Sequence, residues 1–380
     1  MGFGAVITSG PANTPLGDDL VQWLVEARVE QELSAPTRFA IRFEEDTCEG
    51  KPAVLKAAEI KPNTLIAILA PAGNGVTCLV RGPVTQVKFS VQLGVAGSWV
   101  EIHGEDRRVE LDRACIQAAW RGLASTAATR ILAAYGFVPD VQATTKLYAD
   151  TDHTLNQSGS DLSFIEQIAR ENGFELWIEY GRNLPAPLPG APIAITETAL
   201  LKPSPPRGAT PGVAVLLAPP SAPTLRVNVP PDQCPNVTAV QVNTDVERPN
   251  AAKGAAVDPR TGRLDRTQAT DPQPGVGNGP RLVQIDGVKR ELCVTTAGGA
   301  DELQGKQEAA LIEAGWFVEV TASTTAHMLG GVLKPHDVVP IDGIGDAYSG
   351  PYQVKSVTHV INAADHFMEL RLRSNIGNRD

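Results

Sequence analysis

Through much of the chain, apolar residues fall on alternate positions in short runs broken by Gly, Pro and Asn, the period of half-buried strands. In VQWLVEARVEQELSAPTRFAIRFEED, two such runs flank the turn signal LSAPT, the second with Phe39, Ile41 and Phe43 on one face, so residues 21–46 predict a hairpin. KPNTLIAILAPAGNGVTCLVRGPVTQVKFSV continues in the same style, with Gly73, Asn74 and Gly75 where two strands should reverse. WVEIHGEDRRVELDR completes a small antiparallel barrel whose strands span about 18–112.

The period then changes. ACIQAAWRGLASTAATRILAAYG is rich in helix-forming Ala, and Gly136 stands as a C-cap after Tyr135. In SDLSFIEQIARENGFELWIEYG, Ser160 caps a helix with Asp161 in its first turn, Leu162, Ile165, Ile168 and Ala169 form its apolar stripe, and Gly173 ends it. Phe174, Leu176, Ile178 and Tyr180 then alternate as a strand, giving a small α/β module.

Residues 182–235 are rich in Pro and Gly, yet ALLKPSP, GVAVLLAPP and TLRVNVPP keep strand-like pieces. Between Pro249 and Gly279 large apolar residues are few, which predicts a long exposed loop or insertion. Asp301–Ala314 predicts a helix closed by Gly315, followed by the strand WFVEVTAS. The remaining stretch has the rhythm of a second barrel, its last strand alternating Met368, Leu370 and Leu372 with Glu369, Arg371 and Arg373.

The fold class expected is therefore mainly β with α/β insertions: two antiparallel β-barrels plus a small α/β module. The expected division is a first barrel over 1–112, an α/β insert over 113–185, a second barrel from 186–248 and 315–380, and an inserted loop and helix module over 249–314. The length of 380 residues allows this, being too great for one compact core.

Composition changes little in this picture. Charged residues at 20%, with 35 Gly and 30 Pro, favour strands and turns over long surface helices. A net charge of −10 offers no global attraction for nucleic acid, and a pore lined with carboxylates would let DNA slide through. No signal peptide and no membrane-spanning run is expected, which places synthesis in the cytoplasm. The five cysteines, Cys48, Cys78, Cys115, Cys234 and Cys293, are scattered singly and read mostly as small buried hydrophobes.

Catalytic chemistry finds no foothold. The turns at Asn74–Gly75, VGNGP and GIGDAYSG lack phosphate-loop or dinucleotide spacing, and there is no GxSxG elbow and no HExxH among the six histidines. His359 reads as a packed or hydrogen-bonded strand residue. Trp120, Trp177 and Trp316 read as core residues rather than a stacking platform. The densest polar string, HGEDRRVELD, places Glu105, Asp106 and Glu110 where a sugar hydrolase could hold an acid–base pair; the competing reading pairs these carboxylates with Arg107, Arg108 or Arg113, or across a subunit interface. No catalytic, cofactor-binding or metal-binding residue is therefore assigned, and no cofactor is expected.

Three stretches in order resemble the late-control-D type family of phage tail baseplate hub proteins, which also forms the hub portion of type VI and other contractile injection spikes. The first is RGPVTQVKFS followed by EIHGEDRRVELDR, with Gly104, Asp106, Arg107, Leu111, Asp112 and Arg113 at the family's places. The second is SGSDLSFIEQIARENGFELWIEYG, carried by Asp161, Phe164, Ile165, Ala169, Glu171, Gly173, Phe174 and Trp177. The third is YSGPYQVKSVTHVINAADHFMELRLRSN, with Ser349, Gly350, Tyr352, Val354, Val357, Thr358 and His359. The weak region is 183–300.

The resemblance implies a non-enzymatic structural subunit whose two antiparallel β-barrels are tail-tube-like. Three copies would form a pseudo-sixfold ring adapting a sixfold tail tube to a threefold spike, with barrel edges paired between neighbours. The partners it implies are the chain itself as a homotrimer, a separate trimeric spike protein, the tail tube or tube initiator protein, baseplate wedge proteins and the tape measure protein, with no stable nucleic-acid binding. Spike-fused relatives continue into an OB-like domain and a triple β-helix; here the chain stops at Asp380, and a separate spike is the expectation. The expected location is the virion tail baseplate or an injection particle. A receptor- or carbohydrate-binding tail-tip module and a cell-wall hydrolase are the alternatives.

Overall fold

The computed structural model describes residues 4–377 apart from 46–52, 73–74, 92–96, 150–153, 182–183, 186–190, 204–222, 231–232, 258–261, 278, 286 and 297–299. The chain opens with β1 (Val6–Ser9), β2 (Thr14–Pro15) and α1 (Asp18–Val21), then the hairpin of β3 (Leu24–Glu32) and β4 (Arg38–Glu44). After α2 (Ala53–Lys56) come β5 (Leu65–Ala72), the long β6 (Gly75–Ser90), β7 (Trp99–Glu105) and α3 (Arg108–Leu111). The middle of the chain holds β8 (Ile116–Trp120), β9 (Gly122–Leu123), α4 (Ala124–Ala134), β10 (Val138–Val141), β11 (Leu147–Tyr148), β12 (Leu155–Gly159), α5 (Asp161–Asn172), β13 (Glu175–Tyr180) and β14 (Glu197–Lys202). Then follow β15 (Leu225–Arg226), β16 (Ala239–Thr244), β17 (Ala251–Val257), β18 (Leu264–Thr270), α6 (Leu282–Ile285), β19 (Glu291–Thr296) and α7 (Ala300–Ala314). The last elements are β20 (Val318–Thr325), α8 (Ala326–Leu329), β21 (Val338–Asp342), β22 (Gly350–Asn362) and β23 (His366–Ser374).

The two closed barrels expected from the sequence are not formed. Among the described residues, thirteen strands join one open sheet in the order β16-β20-β23-β22-β3-β4-β7-β6-β5-β1-β2, with β21 on β22 and β15 on β21. Closure would require each half to pair its own edges. Instead β3, an edge of the first half, pairs antiparallel with β22 of the second, from Glu26↔Asn362 to Glu32↔Ser356. Alternation correctly predicts the buried face of β4 and of most of β23, but it says nothing about which edge a strand joins.

The sheet contains a repeat. In the first half, the strands β3, β4, β6 and β7 lie in the order first, second, fourth, third. The second half, β16, β20, β22 and β23, lies in the same order read in the same direction. In each half the third strand is long and bulged, at Val84/Gln86 in β6 and Val354/Ser356 in β22. Each third strand also pairs antiparallel with the strand before it, β5 or β21. A bulge bends a strand, which lets one strand serve two partners. Gly82 stands just before the β6 bulge, where an added Cβ would lie 1.8 Å from the Glu105 carbonyl oxygen.

Separate apolar clusters lie under the two halves. Val29, Phe39, Ile41, Phe43, Ile68 and Ile102 centre the first, and Phe317, Val320, Val339, Met368, Leu370 and Leu372 the second. Burying each large side chain is worth about 1.5–3 kcal/mol. Ile361 of β22 belongs to the first cluster and Val354 and Val357 to the second, so β22 crosses from one to the other.

The α/β module forms largely as its sequence predicts. The Ser160 hydroxyl accepts from the Ser163 amide, Gly173 closes α5 at φ 65°, and Leu162, Ile165, Ile168 and Ala169 are buried. β13 pairs antiparallel with β14, which pairs parallel with β10.

Residues 249–280, expected to be a long exposed loop, instead contribute β17 and β18 to a three-stranded sheet completed by β19 and backed by α7. The strands are poor in large apolar residues because helix and sheet approach closely. A Cβ on Gly254 would lie 2.0 Å from the Val294 carbonyl oxygen and 3.0 Å from the Leu303 side chain. Ala252 and Ala256 are buried on the same face. The cysteines also differ from expectation: of the four described, Cys78 is buried and Cys115, Cys234 and Cys293 are exposed. Cys48 lies outside the described residues, as do Gly73, Asn74 and GVAVLLAPP.

Candidate functional site

Two features could carry function: a buried polar junction that holds the parts together, and the sheet's outer face with its two ends.

The junction starts at the end of β7. Gly104 is required there, because a Cβ would meet the Phe39 ring at 2.2 Å and the Pro83 carbonyl oxygen at 2.4 Å. The following Asp106, 1% exposed, accepts from the Thr37 amide at 2.7 Å and from the Arg108 amide at 2.9 Å. The Arg108 guanidinium returns onto the same carboxylate at 2.6 Å and donates to the carbonyls of Ala35 and Leu176. One side chain thus ties the β3–β4 turn, β7 and β13. Burial works against the charge on Arg108, but Asp106 outweighs it and holds the guanidinium above its ordinary pKa.

A second ion cluster lies beside it. Glu197 of β14 accepts from Arg81 at 2.8 Å and Arg107 at 2.7 Å, and Arg107 also binds Glu110 at 2.9 Å. Arg81 reaches Asn13 as well, and its amide donates to the Tyr180 hydroxyl. Burial, followed by the nearby Asp106 charge, raises the Tyr180 phenol well above its ordinary pKa, so it stays neutral. A third cluster joins the module to the second half: Arg373 binds Glu175 at 2.9 Å and lies 4.3 Å over the Trp316 ring, while Trp177 stacks on His336 at 3.9 Å. A cavity lined by Arg108, Trp177, Tyr180 and His336 among others is only about 50 Å³, room for water rather than substrate.

The carboxylates weighed as an acid–base pair therefore do not converge. Glu105 turns to Arg38, Asp106 to Arg108 and Glu110 to Arg107. Asp112 accepts from Ser160, and Arg113 donates to Asn63 at 3.3 Å. Asp161 accepts from Tyr135 and Gln157, and the Tyr352 hydroxyl donates to the Tyr348 carbonyl. No group of three or more His, Cys, Asp or Glu placed to hold a metal occurs among the described residues. No described helix is long and apolar enough to cross a membrane.

Sequence reasoning missed Arg81, Glu197, Glu175 and Arg373. Arg81 and Glu197 carried a readable signal, being single charges inside the apolar runs TCLVRGPV and ITETALL. A charge in such a position is buried with a partner or marks a bend.

The outer face of the repeat is polar. Arg28, Glu30 and Glu32 of β3, Thr358 of β22, Arg371 of β23 and Thr321 of β20 help line a broad groove of about 740 Å³. The eight repeat strands are antiparallel at every joint. Their two ends are open among the described residues: β16 pairs only with β20, and Gln86–Ser90 of β6 only with β7. Phe89, on the core-facing side of that second edge, is 61% exposed.

The sequence matches no family model and no curated protein. The fold, however, has solved counterparts. A tail protein from Neisseria meningitidis MC58 aligns over 98% of this chain and 97% of its own, with TM-score 0.63 and 12% identity. The 43 kDa tail protein of prophage MuSo2 from Shewanella oneidensis aligns over 97% of both chains, with TM-score 0.64 and 11% identity. The E. coli c3393 protein, a type VI secretion system component described as similar to the T4 tail proteins gp27 and gp5, aligns over 98% of this chain and 79% of its own, with TM-score 0.55 and 13% identity. In fold, then, the chain is similar along nearly its whole length to phage tail proteins and a type VI secretion component, in agreement with the resemblance carried by its three sequence motifs.

Proposed function

We propose that this chain is a non-enzymatic structural subunit of a phage tail baseplate or related contractile injection particle, and that three copies close into a pseudo-sixfold ring between tail tube and spike. The repeat of strand order within one sheet carries this reading. Two topologically equivalent four-stranded units per chain let a threefold assembly present a sixfold face.

The internal joint suggests how the ring closes. β22 and β3 are the third strand of one unit and the first of the next. The free ends, β6 and β16, are again a third and a first strand. In an even run of antiparallel strands the two edges run oppositely, so β6 of one copy meets β16 of the next antiparallel, as inside the chain. Val87 and Phe89 then continue the apolar side of Val240 and Val242, and two edges that would otherwise invite aggregation are covered.

On this reading the polar outer face lines the channel, and the modules at 113–185 and 249–314 lie outside the ring towards spike and wedge proteins. A separate trimeric spike, a tube or tube-initiator protein and the tape measure protein complete the set of partners. The subunit is made in the host cytoplasm and ends in the tail or injection particle.

Light scattering of the purified chain, alone and with the candidate spike, tests the proposal. A mass near three chains, or three chains plus three spike chains, is expected. Phe89→Asp and Val242→Asp should each give folded protein that no longer assembles. A strict monomer indifferent to the spike, or a trimer untouched by both edge substitutions, contradicts it.

A further inference from the structure

We propose that Gln31, His359 and His366 form an acid-sensitive latch across the internal β3–β22 joint, closed while both imidazoles are neutral and opened by protonation of His366. All three side chains are buried, between the apolar clusters of the two halves. His359 Nδ1 lies 2.9 Å from His366 Nε2, and His359 Nε2 lies 3.1 Å from Gln31 Oε1. Gln31 Nε2 in turn donates to the Leu79 carbonyl at 2.7 Å.

The last donor sets the direction of the chain. Because the Gln31 amide nitrogen donates, its oxygen accepts from His359 Nε2–H, and His359 Nδ1 then accepts from His366 Nε2–H. Each imidazole carries one proton in this arrangement. The site left open is His366 Nδ1, which is buried with no hydrogen-bond partner. A proton there would place a cation's N–H in a buried site without an acceptor, so the ring must reach water to take it.

The surrounding charges leave this balance in place. From the 330–337 loop, Lys334 opposes protonation of His359, and its Nζ donates to the Cys78 carbonyl at 2.8 Å. Asp365, whose Oδ1 accepts the His366 amide, favours a charge on His366. From β6 the remaining titratable group is the Cys78 thiol, pushed up to about 12 chiefly by burial, with Arg81 and Glu197 beyond it. Burial outweighs Asp365 and lowers His366 to about 4; burial and His366 lower His359 further below its usual range.

The sign follows. A histidine depressed in the folded state contributes stability above its unfolded pKa near 6.5 that is lost as pH falls towards about 4. At pH 4.5, linkage at His366 alone raises the opening equilibrium of the joint by roughly tenfold to a hundredfold over pH 7.5.

Hydrogen exchange of the full chain, corrected for intrinsic rates, reads this directly. Peptides covering 24–32 and 350–362 should lose protection by that factor between pH 7.5 and 4.5, while those covering α5 change little. His366→Gln should flatten the dependence. In the wild-type protein, the His366 ring signal should not titrate above pH 5.5. A His366 signal titrating near 6.5 with the joint still protected, or an unchanged acid profile in His366→Gln, overturns the proposal; the wild-type titration decides it even if the variant does not fold.

Discussion

The Arg108 guanidinium folds back onto the carboxylate of Asp106, two residues earlier, at 2.6 Å, with the side chains 4% and 1% exposed. This pair turns a short polar string into a clamp, because each partner also holds backbone groups from other segments. A buried pair is worth little against an apolar replacement but much against the loss of one member.

Asp106→Asn should therefore destabilise the chain by about 3–5 kcal/mol, whereas Asp106→Asn with Arg108→Met should cost less than the sum of the two single changes. Urea unfolding of the four proteins measures the coupling. Additive losses would mean that the two groups act independently.

Gly104→Ala should cost about 1–3 kcal/mol through overpacking. Phe39→Leu should relieve part of the loss, since one of the two clashes is with that ring and the other with the Pro83 backbone. Thermal unfolding of the single and double variants tests this, and no rescue would place the strain at Pro83.

Glu197→Gln leaves the buried Arg81 facing a neutral amide, while the half-buried Arg107 keeps Glu110. A loss of about 3–5 kcal/mol is expected. It should be read as faster hydrogen exchange in 175–180 and 197–202 than in β20 or β23; uniform loss across the chain would mean that the ion cluster does not secure the module locally.

Acid should loosen the contact between α7 and Lys146, in the loop before β11. Burial works against the Glu302 carboxylate, but hydrogen bonds from Lys146, Lys306 and Thr296 outweigh it and lower its pKa to about 2. A depressed carboxylate contributes stability above about 4.5 that is lost as pH falls towards 2. Glu302→Gln should thus lower the thermal midpoint by a few degrees at pH 7 and shrink the difference between pH 7 and pH 3. Equal midpoints for variant and wild type at pH 7 would contradict this.

Local signals were legible wherever one segment contains both the demand and its answer. Ser160 and Gly173 cap the ends of α5, and its apolar stripe packs as read. The β3–β4 hairpin and the alternation of Met368, Leu370 and Leu372 are likewise set by neighbours in the chain. The polar string around Asp106 was legible as to residue type, and the reading of carboxylates paired with Arg107 and Arg108 is observed for Glu110 and Asp106, while Glu105 turns to Arg38 instead. Its partners Glu197 and Leu176 were hidden, because they arrive from β14 and β13 through folding alone.

By itself, then, the sequence determined the main strands and helices outside 249–280, the buried face of α5 and the polar turn residues, since periodicity and capping act over a few neighbouring positions. Tertiary structure decided that β3 joins β22 rather than closing a barrel, that the two halves repeat one strand order, and that small residues at 251–257 pack under α7. The physical reason is that backbone hydrogen bonds at a strand edge are the same for every sequence; which edge a strand joins depends on packing between segments hundreds of residues apart.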